Sequence, residues 1–482
     1  MRLWMDVMRH LEPVMADHQR LFDAWEAGGV DGIVIGPMAF DDKSYTFDPN
    51  PEVYARFGLQ PPATPNTSSL WWKAPAASSA SHPAGGAGQE TLSVPEKRTQ
   101  LEKTLQAAKD RGWQVWLFCP HYGAGPGAKG PILVDDATRA VAAARLVDCL
   151  EQYPMADGAV LDGPEWGYEI APFHQNHRSY IFNDLSPAVA EGAERLGYDY
   201  DRLVAAKDRL FERLHHLTDR DLRIWGSGAG GFLGTFGVLG NDPALAEWLA
   251  FRMDSLTETF RRIRELVQQH ARRSILLAAG PRSAAWAPLC GYDYARLEQS
   301  LDVLLCKHYF WHRGFDGMYG TVARYVQTLC EWNPGLSERG ALQFVTGLFG
   351  LELPGITSLR DFDHGFPQEF FDQIVFRETE RALAAMGDAE RVCPWVDAGR
   401  KPHDGEPFTP HDLDRMLAAA ERAGLRRFLY HHHGNLTPGE WAVISARCGH
   451  PWQSTTSPRP TLDRAPAAHE MPGYYPPDLP VL

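Results

Sequence analysis

The chain predicts an α/β fold: a (β/α)8 TIM barrel with long insertions in its βα loops. Three observations predict it. Short apolar runs rich in Val, Ile, Leu and aromatics recur along the chain, too short for helices and suited to buried parallel strands. Helical patterns with recognisable ends lie between them, as right-handed βαβ units require. The runs number eight, the count that closes such a barrel. An open doubly wound sheet competes, but no Gly-rich phosphate turn follows the first run. The glycine-rich stretch 226–231 (GSGAGG) matches no nucleotide fingerprint at a strand–helix junction.

The runs fall in order at residues 2–7 (RLWMDV), 31–37 (DGIVIGP), 114–119 (QVWLFC) and 157–162 (DGAVLD). Residues 274–278 (SILLA), 303–306 (VLLC), 392–396 (VCPWV) and 427–431 (RFLYH) complete the set. Helices between them carry their own start and stop signals. Leu101, Leu105 and Ala108 share a helical face between Pro95 and Gly112. Asp242 and Pro243 supply a cap and a first-turn proline for a long helical segment reaching Arg273. Thr409-Pro410 opens a helix built on Leu413, Met416, Leu417 and Ala420 that stops at Gly424. Thr437 and Glu440 form a capping box for the last helix.

Uneven spacing places the insertions at about residues 61–95, 163–272 and 310–390 of a barrel domain spanning 1–453. A proline-rich tail, 454–482, follows as surface coil. The run 74–86 (APAASSASHPAGG) has the composition of a disordered loop. Trp71-Trp72 beside it suits a clamp at the rim or a docking point.

Composition excludes several function classes. A net charge of -14 lacks the basic stripe of a nucleic-acid binder and repels an anionic membrane. No apolar run approaches the ~20 residues of a membrane span. The start, MRLWMDVMRHLEPVM, lacks signal-peptide character, and seven scattered cysteines read as reduced thiols, so a cytoplasmic location is expected. Fifteen Trp are more than a core of this size usually uses, and flat rings suit sugar faces, although core packing is the plainer role for any one ring.

In a barrel the residues just past each strand form the active face. Those positions hold Asp6; Pro37 with Asp41 and Asp42; His121 and Tyr122; Asp162, Glu165 and Trp166; Arg282; Lys307, His308 and Tyr309; Asp397 with Arg400; and His431 with His433. Glycosidic cleavage needs one acid to protonate the leaving oxygen and a second carboxylate as nucleophile or base. Glu165, beside apolar Trp166, fits the acid, because an apolar neighbour raises a carboxyl's pKa. Asp397 fits the facing carboxylate and Asp162 a supporting role. The plainer alternatives are a turn cap for Asp162 and an ion pair with Arg400 for Asp397.

Asp6, His121, Tyr122, Trp166, Tyr168, Arg282, Lys307, His308, Tyr309, Trp395, His431 and His433 form the expected substrate-binding set. Residues two apart in a strand share a face, so His431 and His433 are expected to point into the mouth together. Lys307 suits a Schiff base or phosphate contact, or more plainly a salt bridge to one of the nearby acids. No cofactor or metal is called for. A metal-dependent hydrolase or lyase using His431, His433, His308 and an Asp is one alternative. A non-catalytic carbohydrate-binding barrel is another. The expected partner is an oligosaccharide or glycoside.

On these residues the chain resembles (β/α)8 glycoside hydrolases of uncharacterised bacterial type over about residues 2–450. The resemblance rests on Glu165 after the fourth strand and Asp397 after the seventh, where many retaining barrel glycosidases carry acid/base and nucleophile. It departs in reading Gly163-Pro164-Glu165 where Asn-Glu is usual, and Asp397 where Glu is usual. A weaker likeness, to family 18 chitinases, rests on Asp157-Gly158, three residues and then Asp162, with Glu165 one residue late. The resemblance implies a glycosidase.

Overall fold

The computed structural model describes residues 1–7, 11–36, 49–61, 94–119, 130–171, 180–225, 231–310, 317–363, 366–397, 409–431, 433–453, 457 and 459–462. Eight strands run in parallel: β1 (Arg2–Val7), β2 (Val30–Ile35), β3 (Gln114–Phe118), β4 (Gly158–Leu161), β5 (Leu276–Ala279), β6, β7 (Trp395–Asp397) and β8 (Arg427–His431). β6 is one continuous stretch of chain in two pieces, Val303–Leu304 and Lys307–His308.

β1 to β5 pair in sequence, β8 pairs β1, and β7 pairs β8. The first piece of β6 pairs β5 and the second pairs β7. Backbone bonds fill the gap on both sides: Leu305 N donates to Ala279 O at 2.9 Å, and Trp395 N donates to Cys306 O at 2.9 Å. β6 therefore bonds to both neighbours, and among the described residues the sheet closes into an eight-stranded barrel.

Side-chain alternation divides the core in two. Trp4, Val34, Trp116, Phe118, Val160, Ala278, Val303, Leu305, Tyr309, Cys393, Trp395 and Leu429 fill the lumen as one cluster. Their neighbours in sequence pack outward against the helices. Three tryptophans stand in the lumen, and glycines on or just past nearby strands make the room. A Cβ on Gly32 would lie 2.3 Å from Trp4 Cδ1, one on Gly158 2.7 Å from Trp116 Cζ3, and one on Gly280 2.6 Å from Trp395 Cζ3.

The helices begin where their caps say they should. Asp242 accepts from Ala244 N at the start of helix Pro243–His270. Thr409 with Asp412, and Thr437 with Glu440, form reciprocal capping boxes on helices Pro410–Arg422 and Pro438–Arg447. Helix Asp136–Gln152 packs on helix Pro243–His270. Between them lies buried Arg139, which donates to Ile132 O at 3.0 Å and to Thr259 Oγ1 at 2.9 Å.

The chain at 459–462 lies against helix His18–Ala27, where Trp25 Nε1 donates to Pro460 O at 2.7 Å. Most of the expected tail, and residues 62–93 with Trp71-Trp72, lie outside the described residues. Among the described residues no helix is long and apolar enough to cross a membrane.

Candidate active site

The lumen changes character at the carboxyl ends of the strands. Asp6 lies two residues past Trp4, Asp162 two past Val160, and His431 two past Leu429, so each continues an inward-facing series. Lys307 sits between inward Leu305 and Tyr309. Asp6, Asp162, Lys307 and His431 are all buried, at 0%, 5%, 4% and 3% exposure. Charge buried this deeply must be paired.

The pairing is explicit. Lys307 Nζ lies 2.8 Å from Asp162 Oδ1. The Asp6 carboxylate meets His431 Nδ1. Gly163 follows Asp162 with φ +81°, a left-handed turn that glycine adopts at no steric cost. The turn brings Glu165 against Arg282, three residues past β5, with Arg282 Nη2 at 2.6 Å and Nε at 3.2 Å. The two side chains are 4% and 0% exposed.

Burial works against the charge on Arg282, but Glu165 and Tyr168 outweigh it and hold the guanidinium's pKa well above its usual value. The Arg282 guanidinium also lies over the Tyr168 ring at 4.8 Å. Lys307 is pushed below the ordinary amine value by burial and then by Arg282, against the pull of Asp162. Its ammonium stands 5.6 Å from the Trp395 ring centre, so Trp395 forms the floor beneath it. The mouth thus holds alternating acids and cations drawn from β1, β4, β5, β6 and β8. Of the roles weighed for Lys307, the ion pair is the one seen.

Several expected contacts to substrate are placed elsewhere. Trp166 is turned into the protein body, its Nε1 donating to Ser255 Oγ at 2.9 Å and its ring packed on Phe251 at 5.4 Å. Tyr168 is 1% exposed and supports Arg282. His308 faces outward, opposite Lys307, with Nε2 3.3 Å from Cys306 Sγ and its ring 5.1 Å from Phe310. Burial lowers its pKa to about 3. His433 opens a short 3-10 turn, His433–Asn435, and packs 6.1 Å from Trp25 on the helical layer. Strand alternation stops at His431, so His431 and His433 do not share a face.

The histidines proposed for a metal therefore point apart. Among the described residues no three His, Cys, Asp or Glu side chains converge as ligands. Asp397 ends β7, and its backbone pairs in register with His431. Its side chain, and all of Asp41, Asp42, His121, Tyr122 and Arg400, lie outside the described residues.

Other acids of the β4 segment are structural. Asp157 sits before the strand, 2.8 Å from Lys109 Nζ and 2.8 Å from Val115 N. Glu169 is fully buried, with Arg324 Nε at 3.2 Å. Tyr292 was not foreseen. It is 1% exposed, and its phenol is held well above the usual pKa by burial and then by Glu165 and Asp162. No motif marks it, because it follows a short helix and a glycine turn well past β5.

No protein-family model matches the chain, and no curated protein matches it. Among solved structures it is similar to the PgaB (BpsB) glycoside hydrolase domain from Bordetella bronchiseptica. The identity is 12%, over 92% of this chain and 98% of that one, with a TM-score of 0.44. It is similar also to a GH18 chitinase from Pseudoalteromonas aurantia, at 11% identity over 93% and 100%, TM-score 0.38. The catalytic domain of a β-amylase from Paenibacillus polymyxa matches at 11% over 91% and 94%, TM-score 0.38. Likeness of this degree shows neither activity nor substrate.

Proposed function

We propose that this protein hydrolyses, or transfers from, a glycosidic bond by carboxylate acid/base chemistry at the carboxyl-terminal mouth of the barrel. One observation carries the reading. Asp162, Glu165, Arg282, Lys307, Asp6 and His431 come from five different strands or their loops and are buried together at that mouth. A barrel needs no such cluster for stability, since replacing a buried ion pair with packed apolar groups is often neutral or favourable.

Glu165 is assigned as general acid/base and Asp397 as nucleophile or base. Asp162 supports them, held by Lys307 on its strand. Trp166 points away from Glu165, and Arg282 beside it favours the carboxylate, the form in which Glu165 acts as base and the form that remains once a proton has passed to the leaving oxygen. Tyr309 and His431, stacked with ring centres 5.5 Å apart, form the aromatic base of the mouth below the expected sugar site.

A panel of oligosaccharides incubated with the purified protein tests the reading, with NMR of the first-formed anomer. Cleavage with a single product anomer supports it and separates retention from inversion. No cleavage of any α- or β-linked substrate contradicts it.

A further inference from the structure

We propose that Arg252 and Asp184 are positioning residues for Glu165. Together they clamp the backbone just past it and so hold its carboxyl where the leaving oxygen takes the proton. The proposal rests on the glycosidic reading above and adds to it two residues that never touch substrate.

Glu165 sits on a loop, where no strand or helix fixes the backbone. A general acid must nevertheless be placed to within a fraction of an ångström. The grip on Gly167, two residues on, supplies that constraint. Gly167 N donates to Asp184 Oδ2 at 2.9 Å, and Gly167 O accepts from Arg252 Nη2. Arg252 Nη1 stands 2.9 Å from the same Asp184 oxygen, so the three residues close a ring. The guanidinium is fully buried and the carboxylate nearly so. Arg252 Nε donates to Leu289 O at 2.7 Å, which ties the clamp to the short helix Ala287–Cys290 beyond β5. Trp166 completes the hold. Its backbone N donates to Cys290 O at 2.9 Å, its indole Nε1 lies 3.2 Å from Arg252 O, and its ring centre is 5.5 Å from Arg252 Cζ.

The parts come from three separate places. Arg252 is on helix Pro243–His270, Asp184 follows the short turn Ile181–Asn183, and Gly167 belongs to the loop after β4. Arg282 meanwhile holds the Glu165 carboxylate itself, so backbone and side chain are fixed independently. A buried ion pair adds little net stability over packed apolar groups. Bonding both peptide groups of Gly167, by contrast, fixes the course of the chain at the acid. Doing so while also reaching Leu289 O takes the planar fork of arginine, which lysine lacks.

Hydrogen exchange on the full chain tests the clamp without any substrate. The Gly167 amide is expected to exchange at least about 100-fold more slowly than an unprotected amide. Exchange at the unprotected rate overturns the clamp whether or not a substrate is found. The positioning role is read from two substrates with the same sugar chain. One is the oligosaccharide that the protein cleaves, and the other is a dinitrophenyl glycoside, whose phenolate leaves without needing a proton. Arg252→Lys keeps the charge and loses the fork. It should lower kcat/KM on the oligosaccharide by about 10- to 100-fold and on the aryl glycoside by no more than a few-fold. Equal losses on both, or a wild-type value on the oligosaccharide, overturn the proposal and leave a structural pair. If Arg252→Lys does not fold, Asp184→Asn decides by the same rule, since it keeps an acceptor for Gly167 N and removes the charge that holds Arg252. If wild type cleaves nothing while the Gly167 amide is protected, the glycosidic reading falls and the positioning role falls with it.

Discussion

His308 offers a direct test of how β6 is phased. The sequence pattern puts Lys307 and His308 together at a strand end, but only one of them can face the mouth. The structure turns His308 outward beside Phe310 and Cys306, where burial lowers its pKa from 6.5 to about 3. The sign follows from linkage. Between those values the unfolded chain binds a proton that the folded protein refuses, so stability is complete above the unfolded pKa and falls with pH toward the folded one. Each unit corresponds to about 1.4 kcal/mol, which gives about 5 kcal/mol across the whole window and about 3 kcal/mol between neutrality and about pH 4.5. His308→Phe keeps a ring and removes the titration. Urea unfolding of both proteins at about pH 7.5 and about pH 4.5 should show wild type losing about 3 kcal/mol more than the variant. Equal losses would refute the outward placement, because a ring open to a wet mouth would titrate alike in both states.

Removing one member of a buried pair should cost far more than removing both. Arg282→Met leaves Glu165 uncompensated and should destabilise by about 3–5 kcal/mol, and adding Glu165→Gln should restore most of it, as read by urea midpoints. Gly280→Ala places a methyl 2.6 Å from Trp395 Cζ3 and 3.1 Å from Asp162 Oδ1. It should cost about 1–3 kcal/mol by overpacking, and in a cleavage assay it should lower kcat through displaced Asp162. A melting temperature equal to wild type would contradict the lumen packing.

Much of the barrel was legible because its signals are local. The runs at 2–7 and 427–431 match their strands to the residue, and the Thr409 cap and the Thr437–Glu440 capping box sit where the spacing put them. β5 lies two residues later than its apolar run, since Ser274 and Ile275 precede the first sheet pairing at Leu276. The site was legible in its acids and less so in its directions. Period-two alternation says that neighbours face apart, but only an anchored residue says which faces in. Leu305 and Tyr309 in the lumen supply that phase for Lys307 and His308. His431 and His433 separate because a 3-10 turn replaces the strand between them. Trp166 lies past its strand, where no periodicity operates, and its indole is claimed by Ser255 across about ninety residues of chain. The pairings Asp162–Lys307, Glu165–Arg282 and Asp6–His431 join distant parts of the chain, so only closure of the barrel reveals them.

The central claim is that carboxylates at this mouth cleave a glycosidic bond. The most direct measurement compares steady-state cleavage of a substrate by wild type, Glu165→Gln and Asp397→Asn, each shown to be folded by its melting curve. The account predicts kcat lowered by at least about 100-fold in both variants. Wild-type rates in both would contradict it.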